Sequence, residues 1–100
     1  MIRGTTPTHI YTLPVDTALL SELKIIYAQN DKILFEKKAA QCQMTDNTAS
    51  VTLTQEETFL FDCRKPVQIQ LRALTAAGVA LASPITLISV EKCLDSEVLE

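Results

Sequence analysis

The chain has no tryptophan, a single histidine, two glycines and three cysteines in 100 residues. Each shortage closes off a class of chemistry. With Gly4 and Gly78 alone, no glycine-rich loop can cradle a phosphate. A general base needs a partner to orient it and a proton within reach, and no serine or cysteine stands in a nucleophile motif that His9 could serve. His9 therefore reads as a structural or surface residue. Cys42, Cys63 and Cys93 are odd in number and far apart, whereas disulfide frameworks come in even sets and zinc sites in close pairs. They read as small apolar side chains, with no metal ligands and no cofactor.

Aromatic residues are scarce too: Tyr11, Tyr27, Phe35, Phe59 and Phe61 are all there are. That disfavours a carbohydrate-binding module, which needs solvent-facing rings, and it leaves a core built from Ile, Leu, Val and Ala. Basic charge is equally thin. Nine Lys and Arg against twelve Asp and Glu give a net charge of -3, the wrong sign for a protein that grips phosphate backbones. The adjacent pairs Lys37-Lys38 and Arg64-Lys65 read as solvated strand ends and turns. Among the acids, Glu56-Glu57 suits a helix N-terminus, Asp16 a cap, and Asp95, Glu97 and Glu100 a solvated segment. No residue earns a catalytic role, so an enzyme is not expected.

No apolar run approaches the ~20 residues needed to span a bilayer, and Met1–Pro7 has no charged stretch followed by an apolar one. The expectation is a protein made and kept in a reducing cytoplasm, reaching the exterior only within a larger assembly. The length suits one domain spanning residues 1–100. Residues 1–7 are expected to form a flexible arm and 95–100 a flexible tail.

What is present is strand pattern. Val67, Ile69, Leu71 and Ala73 alternate with Gln68, Gln70 and Arg72, the period of a strand with one buried face. Leu23, Ile25 and Tyr27 share a side of a second strand. It runs through Gln29-Asn30-Asp31-Lys32, a turn sequence, into Ile33–Lys37. Thr45-Asp46-Asn47-Thr48 predicts another hairpin, and Thr75-Ala76-Ala77-Gly78 a third. The strand returning from Gly78 is broken at Ser83-Pro84, where a bulge or bend is expected. Thr8–Leu13 reads as a first strand with His9, Tyr11 and Leu13 on one side, and Asp16-Thr17 as a helical turn. Thr54 and Glu57 have capping-box spacing, so a short helical corner is predicted, tucking Phe59 or Leu60 under the sheet. Short strands at this spacing specify an all-β fold, a single immunoglobulin-like antiparallel β-sandwich of about seven strands.

The segments Arg3–Pro14, Tyr27-Ala28-Gln29-Asn30, Leu53–Thr58 and Ile69-Gln70-Leu71-Arg72 resemble small prophage-encoded proteins of Gram-positive bacteria. The likeness covers most of the chain. It is similar, more loosely, to the N-terminal β-sandwich domain of phage baseplate upper proteins. The resemblance implies a non-catalytic structural or assembly protein of a phage tail or baseplate. Its partners would be proteins, either copies of itself in a homo-oligomer or another phage structural protein, without nucleic acid or membrane. A carbohydrate-binding module and a host-takeover protein that inhibits a bacterial protein are the alternatives. Two segments are candidates for the partner interface: the extended, polar Thr5, Thr6 and Pro7, and the uncharged strand carrying Val79 and Leu81. Burial in the core is the leading reading of that strand, and an exposed pairing edge the second.

Overall fold

A computed structural model describes residues 1–100. The strands are β1 (Thr8–Thr12), β2 (Leu20–Gln29), β3 (Lys32–Lys38), β4 (Gln43–Thr45), β5 (Thr48–Thr52), β6 (Val67–Thr75), β7 (Ala80–Ala82) and β8 (Thr86–Ile88). One α-helix, α1 (Gln55–Phe59), and two single 3₁₀ turns complete the regular structure. No helix is long and apolar enough to cross a membrane.

Two antiparallel sheets form, ordered β1-β5-β4 and β3-β2-β6-β7, with β8 following β7 on the same side of β6. Taken as strands B to G of an immunoglobulin domain, these are the B-E-D and C′-C-F-G sheets, and α1 falls on the E–F connection. The chain is thus an all-β sandwich. The count is eight rather than about seven because one strand is split. At the split, Ser83 stands in for the lost ladder: its hydroxyl accepts the Leu71 N–H at 3.0 Å and donates to the Pro84 carbonyl at 3.0 Å.

The turns have the chemistry their residues allow. Asn30 and Asp31 both adopt positive φ (54° and 63°), the combination that matches a two-residue turn to strand twist. Gly78 (φ 88°) closes the β6–β7 turn, where a side chain would be strained. Asp16 caps the turn Thr17–Leu19 by accepting the Ala18 N–H at 2.9 Å. At α1 the capping box is complete, with Thr54 Oγ1 accepting the Glu57 N–H and Glu57 Oε1 accepting the Thr54 N–H.

The inward faces are the alternating ones. Leu23, Ile25 and Tyr27 from β2 and Val67, Ile69, Leu71 and Ala73 from β6 meet Ala49, Val51 and Leu53 from the opposite sheet. The helical corner buries Phe61, not Phe59 or Leu60, because α1 ends too soon to turn either inward. Leu60 stays 57% exposed, while Phe61 is fully enclosed. The cysteines are free and half-buried rather than fully buried.

The segment expected to be a loose arm lies against its own chain. Glu91 N–H donates to the Met1 carbonyl and Arg3 N–H to the Glu91 carbonyl, forming a short parallel bridge at Ile2. The fully buried Thr58 hydroxyl accepts the Gly4 N–H and donates to the Thr5 carbonyl, both at 2.9 Å. Arg3 donates to the Phe59 carbonyl at 2.8 Å and lies over that ring. Gly4 has φ +80°, and a Cβ there would sit 2.5 Å from Phe59 Cζ. Gly4→Ala is therefore expected to destabilise by about 1–3 kcal/mol, from strain alone, and to speed proteolysis before Pro7. Thermal melting checks the first effect and limited digestion the second.

Candidate interface on the open side of the sandwich

On one side the two sheets do not close. The edge strand of the small sheet, β1, faces the edge of the large sheet, β7 and β8, across a groove of about 470 Å³. Its inner wall is Leu71 and Ala73 of β6. Tyr11, Leu13 and Pro14 form one rim, and Leu81, Ser83 and Thr86 the other. None of its twelve lining residues carries a charge. The break at Pro84 borders this groove: Ser83 N–H still donates to the Leu71 carbonyl at 3.0 Å, and the ladder to β6 resumes at Thr86.

Both rims are edge strands with a free side. β1 pairs only with β5, and β7 and β8 only with β6. Ile10 and Val79 add large exposed aliphatic side chains, at 69% and 53%. Val79–Ala82 is not the buried core strand its uncharged composition suggests. Val79, Ala80 and Ala82 are exposed and only Leu81 is half-buried, because nothing packs beyond β7. The other proposed interface residues lie elsewhere. Thr5 and Thr6 are exposed at the α1 end, and the half-buried Pro7 gives its carbonyl to Leu53 N–H. Val79 stands in the turn at the opposite end of β6. The two candidate segments therefore do not form one patch.

Residues outside the two candidate segments complete the groove: Ile10, Leu13, Leu71, Ser83 and Thr86. The available signal was the charge-free run Thr8–Val15 matched with the charge-free run Val79–Val90. Only the fold sets them side by side.

Under the same β1 strand lies the molecule's one chain of polar aromatic contacts. His9 Nδ1 is 2.8 Å from the Tyr27 hydroxyl, which is 3.1 Å from that of Tyr11. The Tyr27 ring stacks on Phe35 at 4.9 Å, and Phe61 packs beside both. Burial lowers the His9 pKa and raises those of Tyr11 and Tyr27, so all three stay neutral at neutral pH. Burial also raises the nearby Cys42 thiol, which donates to the Lys38 carbonyl. The cluster braces β1 against β2.

Lys37 is a second surprise in this region. Read as a solvated strand end, it is instead buried, its ammonium 2.6 Å from Glu57. It occupies the inward position two residues after Phe35, and the capping acid of α1 reaches it there.

No family model, curated protein or solved structure matches the chain.

Proposed function

We propose that this domain is a non-catalytic structural or assembly module that works through protein–protein contact, of the kind found in bacteriophage tails and baseplates. The observation that carries the proposal is the groove: apolar, uncharged, and flanked by two strands whose outer edges are unpaired. An extended segment laid along β1 or β7 gains main-chain hydrogen bonds from the edge, and its alternate side chains gain apolar burial between the sheets. Charge would be rejected there, because nothing in the lining could pair with it. The aromatic rings count against a carbohydrate platform: none of the five is exposed. The phage assignment draws on the resemblance of Arg3–Pro14 and the other matching segments to prophage proteins.

Light scattering across a concentration series, on the wild type and on Leu81→Glu, tests the reading. A defined oligomer that Leu81→Glu dissociates, with the far-UV spectrum unchanged, supports contact through the groove. An oligomer indifferent to the substitution removes the groove from the contact. A strict monomer at high concentration sinks self-assembly and makes a second phage protein the required partner.

A further inference from the structure

The outer face of the large sheet carries an arrangement that costs stability in the isolated chain. Lys24 is in register with Lys38 on one side and with Arg72 on the other, so three cations stand in a row across β3, β2 and β6. Like charges directly opposite each other destabilise a sheet. Glu36 pairs with Lys24 at 3.4 Å, while Lys38 and Arg72 make no ion pair. One end of the same face sets aliphatic side chains among Asp31, Gln68 and Gln70, with Gln68 donating to Asp31 at 2.9 Å. Ala28 is in register with Ile33 and Gln68, Gln68 with Leu87, and Ile26 and Ile85 flank them.

One stretch of the chain complements both halves. In the segment Leu94–Glu100, Asp95, Glu97 and Glu100 are exposed, and Leu94 and Leu99 stand out at 98% and 71%. The segment has no regular structure, and its side-chain tie to the body is Gln55, which exchanges two 2.9 Å bonds with the Leu99 backbone. In an extended chain Asp95, Glu97 and Leu99 point to one side. From Asp95 to Leu99 is four residues, about 13 Å. From Lys24, in the cation row, to Ala28, in register with Ile33, is also four residues of extended strand.

We propose that residues 94–100 of one copy lie along the outer face of the β3-β2-β6 sheet of a second copy. Asp95 and Glu97 meet Lys38, Lys24 and Arg72, and Leu99 covers Ile26, Ile33 and Leu87. The acidic segment is excluded from the uncharged groove, so the two surfaces have different occupants. The contact is head to tail, which closes into a ring or continues as a filament according to the rotation between copies. The proposal rests on the self-assembly form of the function above and adds a second contact to the one through the groove.

A charge swap tests it, read by light scattering. Asp95→Lys with Glu97→Lys, and separately Lys38→Glu with Arg72→Glu, are each expected to abolish the oligomer. Mixing the two variants restores it, because each segment then meets a face of opposite sign. All four substituted residues are exposed, so folding is expected to survive, and circular dichroism checks that. A wild-type oligomer that both variants retain overturns this contact while leaving self-assembly standing. Loss in both variants without recovery on mixing also overturns it. A monomeric wild type overturns self-assembly and this contact together.

Discussion

Replacing Tyr27 by alanine is expected to destabilise the domain by about 3–5 kcal/mol, the usual cost of deleting a large buried ring. Stabilities of small domains run to about 5–15 kcal/mol, so this one change brings the chain close to unfolding. The ring is fully buried at the meeting point of both sheets. It stacks on Phe35 at 4.9 Å and on His9 at 5.8 Å, and it touches Phe61. Five aromatics serve the whole chain, and this cluster uses four of them. Tyr27→Phe separates the ring from the hydroxyl. It keeps the stacking but leaves the His9 Nδ1 and the Tyr11 hydroxyl without their shared partner, at a cost of about 1–3 kcal/mol. Urea titration of the two variants gives both numbers. Equal stability of Tyr27→Phe and wild type would mean that the hydroxyl chain does not hold β1 in place. The matter bears on function, since β1 is one rim of the groove.

Much of this architecture is written in short-range pattern. The alternation of Val67 to Ala73 with glutamine and arginine specifies a half-buried strand, and β6 is the strand with which β2, β7 and β8 all pair. Asn30-Asp31 specifies a tight turn because both residues tolerate positive φ. Thr54 and Glu57 specify the start of α1 because each satisfies a backbone N–H that the other exposes. Harder to read are features that depend on what lies across the molecule. Val79–Ala82 has the same uncharged composition whether a strand covers it or not. Its exposure follows from β7 being last in its sheet. The fate of Phe61 depends on where α1 stops, and one residue of helix more or less rotates a different side chain inward. The groove joins residues 10–14 to residues 81–86, a juxtaposition set by the crossing of strands between sheets. Lys37 is the clearest case. A lysine two residues beyond a core phenylalanine on an edge strand reads as solvated, and only an acid twenty positions later, brought round by α1, makes its burial tolerable.

That ion pair sets the second large effect, and it acts through the state left behind. Glu57→Gln keeps the capping box, because a glutamine oxygen still accepts the Thr54 N–H. What it removes is the counter-charge of a lysine whose side chain is only 8% exposed. Breaking a fully buried pair from one side costs about 3–5 kcal/mol. Glu57 retains 22% exposure, so solvent lowers the expected cost to about 2–3 kcal/mol. Lys37→Met should cost less, because its methylene stem packs where the lysine stem packs, and the carboxylate left behind is 22% exposed and still accepts the Thr54 N–H. Equal losses in the two variants would show that attraction, and not the stranded ammonium, dominates. Acid gives the same pair a second test. Burial alone would raise the Glu57 pKa, but hydrogen bonds from Lys37 and from the Thr54 backbone outweigh it and hold it below the ordinary 4.5. Its contribution is therefore complete above 4.5 and is lost as pH falls through the lower folded value. His9 acts earlier and in the same direction. Burial depresses its pKa below 6.5, so the unfolded chain takes up that proton first and stability falls once pH drops below 6.5. Urea midpoints measured from pH 8 downward should thus fall in two stages. His9→Gln is expected to remove the first and Glu57→Gln the second. A single acid transition unchanged by either substitution would separate both residues from the acid response.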